Sequence, residues 1–211
     1  MSNDFMNKIT KEHSSLEEWI RKSVGEMDKI MDGGFPNVFG RDWRQKMGGF
    51  PTSARTKLLT YVFDYAMEEM ANTFNNIQYS AANNQGASEI NNFDCYLFGD
   101  EVENKLSLGA TKSSFGTGSS HNTDGKVPRI LAVKVKLSED YHSEEIFASV
   151  IDLSLATNKN SGWHSGDPNK SGFSTLKVSN DDIGIVIPLC GSIKPGRLYL
   201  QVENESIRGQ P

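Results

Sequence analysis

Asp94, Glu101, Glu103 and Lys105 fall within the stretch FDCYLFGDEVENKLSL, Phe93 to Leu108. Three strand acids and one base so close together have the makings of a metal-dependent hydrolytic centre. Neighbouring carboxylates share a hard divalent cation such as Mg²⁺, which takes oxygen ligands and keeps several waters. A lysine beside a metal-bound water orients or deprotonates it and neutralises charge on a phosphate. The same residues also suit a plain solvated face, with Asp94 and Lys105 among its cross-strand ion pairs. The choice turns on which elements carry them and which way the side chains point.

The stretch reads as two strands and a tight turn. A two-residue turn at Gly99-Asp100 uses the glycine where positive φ is needed. The expected register sets Phe98 opposite Glu101, Tyr96 opposite Glu103 and Asp94 opposite Lys105. Side chains alternate along a strand, so Asp94, Tyr96, Phe98, Glu101, Glu103 and Lys105 share one face. Phe93, Cys95, Leu97, Val102, Leu106 and Leu108 take the other, with Asn104 the one polar residue among them. The apolar face must press against a core, which leaves the acids and the lysine together on the opposite side.

Helices precede this hairpin. Leu16, Trp19, Ile20, Val24, Met27, Ile30 and Met31 recur at helical spacing, after overlapping capping-box signals in Ser14-Ser15-Leu16-Glu17-Glu18. Gly33-Gly34-Phe35-Pro36 predicts the end of that helix. A Gly-rich connector with Phe35, Phe39 and Trp43 leads to a second start near Pro51-Thr52-Ser53. Leu58, Leu59, Val62, Phe63, Ala66, Met67, Met70 and Phe74 then make a second stripe to about Gln78. Both stripes are read as core.

After the Asn-rich loop 80–92 the period becomes two. The predicted strands are 93–98, 101–108, 129–137, 146–155, 183–189 and 197–203. Two polar segments, 109–126 and 158–175, are long for structureless loops in a compact domain, and such loops are functional or disordered. The order predicts an α+β fold, with N-terminal helices packed on a mixed, mostly antiparallel sheet. We expect one domain over 1–211, helical over residues 1–79 and β-rich over residues 80–211, with the chemistry in the β-rich region.

The bulk numbers narrow the function classes. A net charge of −5 argues against a protein that coats nucleic acid non-specifically, because such binding runs on a Lys/Arg excess. It does not exclude a nuclease with a local basic cleft. No stretch approaches the roughly 20 apolar residues of a membrane helix, and the N-terminus has no apolar signal region. Cys95 and Cys190 are the only cysteines and are expected as free thiols, with a cytoplasmic location.

Asp94, then Glu103-Asn104-Lys105 nine positions on, resembles the active-site motif of the PD-(D/E)XK nuclease superfamily, type II restriction endonucleases in particular. Helices before the motif, a polar loop after it, and strands such as PRILAVKVKL and IFASVIDLSLA resemble the family's order over roughly residues 85–155. Two positions depart from it: Phe93 stands where Pro is frequent, and Asn104 where the family is often apolar. The resemblance implies a sequence-specific endonuclease acting on double-stranded DNA. Asp94 and Glu103 would ligate Mg²⁺, with Mn²⁺ as a substitute and the Asn104 backbone carbonyl as a further ligand. Lys105 would position the attacking water. An additional acid would be Glu89 or Glu69, and Glu101 would be a solvated bystander beside the turn.

Sequence readout would then fall to Lys112, Ser113, Ser114, His121 and Asn122 in one long segment, and to Trp163, His164, Asn169 and Lys170 in the other. A homodimer joined through the N-terminal helices would match a two-fold DNA site. Neither a membrane nor a nucleotide cofactor is implied. GSSHNTDGK, Gly118 to Lys126, has six residues between its glycines where a phosphate-binding loop needs four, and Val127 where Ser or Thr should stand. His121-Asn122 lacks the second histidine of an HNH nuclease. The competing class is a non-catalytic β-rich binding module with solvated hairpin acids.

Overall fold

The computed structural model describes residues 4–81, 95–108, 116–117, 127–165 and 174–191. Four helices come first: α1 (Asp4–Lys11), α2 (His13–Phe39), α3 (Trp43–Gly49) and α4 (Thr52–Ala71). Nine strands follow among the described residues: β1 (Ile77–Tyr79), β2 (Cys95–Leu97), β3 (Asp100–Leu108), β4 (Gly116–Thr117), β5 (Arg129–Leu137), β6 (Ser143–Asp152), β7 (Gly162–Ser165), β8 (Ser174–Lys177) and β9 (Val186–Cys190).

The two predicted stripes are buried. Leu16, Trp19, Ile20, Val24, Met27 and Met31 of α2 meet Leu59, Phe63, Ala66 and Met67 of α4 in one core. The Trp19 indole donates to the Met67 carbonyl at 3.1 Å, tying the two helices together. Three expectations fail at helix ends. The Ser14-Ser15 signals cap nothing: Glu12 is the N-cap residue, and its amide continues the ladder from α1 by donating to the Lys8 carbonyl. Gly33-Gly34-Phe35-Pro36 does not stop α2, which runs on to Phe39. Phe35 is buried there, edge-on to Trp43 and Phe39 with ring centroids 5.1 and 5.5 Å apart. That aromatic contact outweighs the weak helix propensity of the glycines, and Pro36 lies close enough to the end to disturb only the last turns. Finally, α4 ends at Ala71 rather than near Gln78, and Ile77 and Tyr79 point inward as a strand.

Six of the described strands form one sheet in the order β1-β2-β3-β5-β6-β9. All its neighbouring pairs are antiparallel except β3 and β5, which run parallel. The fold is α+β, helices on a mixed and mostly antiparallel sheet. One sheet face buries Val102, Leu131, Val133, Val135, Ala148 and Val150 beneath the helices. The opposite face carries a smaller cluster, Ile130, Ala132, Ile151 and Val186 covered by Leu176, Val178 and Ile185. The hydrophobic alternation of β5 therefore serves two cores at once, which is why its strand is apolar on both sides.

Strand boundaries shift where turns intervene. β6 begins at Ser143 and closes at Asp152, and residues 153–155 are a 3-10 turn instead of strand. Residues 180–185 are likewise 3-10, so the last described strand starts at Val186, three residues later than expected. The predicted strand 197–203 lies outside the described residues. No helix among the described residues is long and apolar enough to cross a membrane. Cys95 and Cys190 are buried thiols outside any disulfide, and burial pushes Cys190 up to about 11.

Candidate functional site on strand β3

The hairpin exists, with its turn one residue earlier than predicted. Cys95 pairs with Val102, Tyr96 with Glu101 and Leu97 with Asp100, so Phe98 and Gly99 make the turn. Both carry positive φ, 55° and 87°, as a two-residue hairpin turn of this hand requires. Positive φ is costly for a bulky side chain. The Phe98 amide offsets some of that cost by donating to the Asn76 carbonyl at 2.8 Å, and its ring packs on the core. The corrected register moves Tyr96 from Glu103 to Glu101. The displacement is two residues, so the described strand residues keep their expected faces, while Phe98, expected on the face of the acids, turns to the core.

Glu103 and Lys105 share the face away from the helices. Their side chains are 12% and 15% exposed and form an ion pair along the strand. On the neighbouring strand Glu103 stands beside Ile130 and Lys105 beside Ala132, both in the smaller apolar cluster. An ion pair against dry neighbours interacts more strongly than one in bulk water. Glu101, by contrast, is exposed near the turn. Asn104 faces the helices and is buried, with its amide nitrogen donating to the Tyr79 hydroxyl at 2.6 Å. Tyr79 in turn donates to Asp64 at 2.7 Å.

The remaining acids divide sharply. Asp94 and Glu89 lie outside the described residues. Glu69 is exposed on α4, the helix that packs on the face opposite Glu103, so the fold does not bring it to the pair. Among the described residues no three His, Cys, Asp or Glu side chains gather as a metal-binding group.

Of the residues assigned to readout, Lys112, Ser113, Ser114, His121, Asn122, Asn169 and Lys170 lie outside the described residues. Trp163 and His164 lie in β7, paired with Leu176 and Thr175 of β8. The two long polar segments are not free of regular structure. One contributes β4 and the other β7 and the start of β8, and these strands form a three-stranded antiparallel sheet in the order β4-β8-β7. The strands are too short and too polar to have shown a period of two.

No family model and no curated protein matches the chain. One solved structure, described as a restriction endonuclease in complex with substrate DNA, is similar at 11% identity, covering 90% of this chain and 99% of that one with a TM-score of 0.40. A likeness that loose leaves the site to be argued from its own residues.

Two features escaped the sequence. Lys134 stands beside Ser107 on the same face as Lys105, and is only 9% exposed. Its signal was the alternation in Ile130-Leu131-Ala132-Val133-Lys134, which puts the lysine in line with Ile130 and Ala132. The Asp64–Tyr79–Asn104 chain had no local signal, since its members come from three separate elements.

Proposed function

We propose that this chain is a Mg²⁺-dependent, sequence-specific endonuclease of double-stranded DNA, working as type II restriction endonucleases do. The observation that carries the reading is the Glu103–Lys105 pair: an acid and a base in contact on a sheet face, largely withdrawn from solvent, within the motif that ties them to Asp94. Solvated charges on a bare hairpin have no reason to be withdrawn.

Carboxylate and carbonyl oxygens are the donors that Mg²⁺ prefers. Glu103, Asp94 and the Asn104 carbonyl would hold it, where it would neutralise phosphate charge and acidify a bound water. Lys105 donates to the attacking water and keeps it in line with the phosphorus. Glu103 keeps the Lys105 ammonium aimed at that water rather than swinging free. Lys134 adds a second positive charge to the same face, which favours a phosphate there in spite of the net negative chain. Trp163 and His164, on the small sheet built from both polar segments, remain the readout candidates within the described residues.

The test is digestion of mixed-sequence plasmid DNA with Mg²⁺ or Mn²⁺. Discrete fragments are expected, and their ends report the recognition site. Lys105→Met, Asp94→Asn and Glu103→Gln should each lower the rate on the order of 10²- to 10⁴-fold, the range of a positioned proton-transfer group, with melting curves that still show a folded protein. An intact plasmid under every divalent metal tried, with these variants indistinguishable from wild type, would leave the β-rich binding module instead.

A further inference from the structure

We propose that Asp64, Tyr79 and Asn104 are positioning residues, a buried relay that holds the Glu103–Lys105 pair in its geometry from behind the sheet. The inference rests on the nuclease reading for its consequence, the cleavage rate, but not for its geometry.

Asp64 of α4 and Asn104 of β3 are each 1% exposed, and Tyr79 of β1 is 8% exposed. The directions of the hydrogen bonds follow from chemistry. An amide nitrogen only donates and a carboxylate only accepts, so the phenol between them must accept from Asn104 and donate to Asp64. The two links are 2.6 and 2.7 Å. The Tyr79 ring is also held by Trp19, with centroids 6.0 Å apart. An apolar residue at 104 would cost nothing to bury, whereas an amide there must be matched by partners. Buried hydrogen bonds between elements favour one arrangement of the elements that carry them.

What this relay fixes is the roll of β3. Asn104 lies between Glu103 and Lys105 in sequence and points the opposite way. Anchoring the Asn104 side chain through Tyr79 to β1 and α4 holds β3 at that residue, and with it the angle at which its two neighbours leave the sheet. Catalytic groups need that: a displacement near 1 Å costs on the order of 10²-fold in rate.

Tyr79→Phe keeps the ring and removes the relay. In single-turnover cleavage, the rate at saturating enzyme should fall by about tenfold or more, with the half-saturating enzyme concentration within about twofold of wild type. Asn104→Leu, which removes the amide donor to Tyr79 at similar size, is the second variant and should act in the same direction, should Tyr79→Phe fail to fold. A lowered melting temperature with an unchanged saturating rate would overturn the relay and leave the nuclease reading standing. If the wild type itself cleaves nothing, the nuclease reading falls, and the Lys105 side-chain amine, followed by NMR with isotope-labelled lysine, decides the relay alone. A changed amine signal in Tyr79→Phe supports it; an unchanged one overturns it.

Discussion

A glutamate and a lysine two residues apart on a strand usually settle as a wet ion pair worth little. Lys105 and Glu103 differ because the strand beside them places Ile130 and Ala132 on their face. Elsewhere a single carboxylate does structural work of another kind. Asp182 is buried in the 3-10 turn before β9, where it accepts from the Ser161 hydroxyl, from the Thr157 amide at 3.0 Å and hydroxyl at 2.8 Å, and from the Asn158 amide at 3.0 Å. The Ser161 hydroxyl first, then these other donors, hold Asp182 well below its ordinary 3.8. A depressed folded-state value contributes stability above the unfolded value and loses it as pH falls toward the folded one. Asp182→Asn should therefore melt at a lower temperature than wild type near neutral pH, with the gap closing as pH falls below about 4. Melting curves across that range check it; a gap that stays constant would show that the charge of Asp182 is not what holds the turn.

At the scale of elements, tertiary contacts overrode local punctuation. α2 passes through Gly33-Gly34 because Phe35 beyond them is buried against Trp43. Gly33 is exposed in the helix, and a methyl group there meets nothing within 4 Å. Gly33→Ala should stabilise the protein by about 0.5–1 kcal/mol, the helix-propensity difference between the two residues. Chemical denaturation measures this as a raised midpoint at unchanged slope. A lowered midpoint would mean that α2 is not continuous at this point. The small β4-β8-β7 sheet is a second element-scale result, because it joins two segments that the chain separates. Asp182 pins the turn leading into β7, so the same carboxylate fixes where that sheet leaves the main one.

At the scale of the molecule, the two faces of the main sheet carry different chemistry. One face is closed by helices; the other carries Glu103, Lys105 and Lys134 beside a small apolar cluster. An enzyme that reads a two-fold DNA site in one event needs two such faces. We predict a homodimer, with a mass by light scattering about twice the 23.4 kDa of one chain. Tyr61 and Tyr65 are exposed one turn apart on α4, where the N-terminal helices would supply the contact. A single-chain mass with DNA bound would remove the two-fold reading while leaving the chemistry of β3 untouched.

The amino-acid sequence by itself determined the class of fold, the two buried helical stripes and the faces of the hairpin. Those follow from periodicity, which depends only on the residues in one element. Even the misplaced turn left the described strand residues on their expected faces, because a two-residue displacement preserves alternation; Phe98, drawn into the turn, went to the core instead. Tertiary structure decided what periodicity does not encode. The parallel pairing of β3 with β5 set dry neighbours beside Glu103 and Lys105, and the packing of α4 put Glu69 on the far side of the sheet. Folding also explained Asn104, an amide on an apolar face, by bringing it to Tyr79 and, through Tyr79, to Asp64, residues far away in the chain. A buried polar group is legible only with its partners, and partners from three elements meet only when the chain has folded.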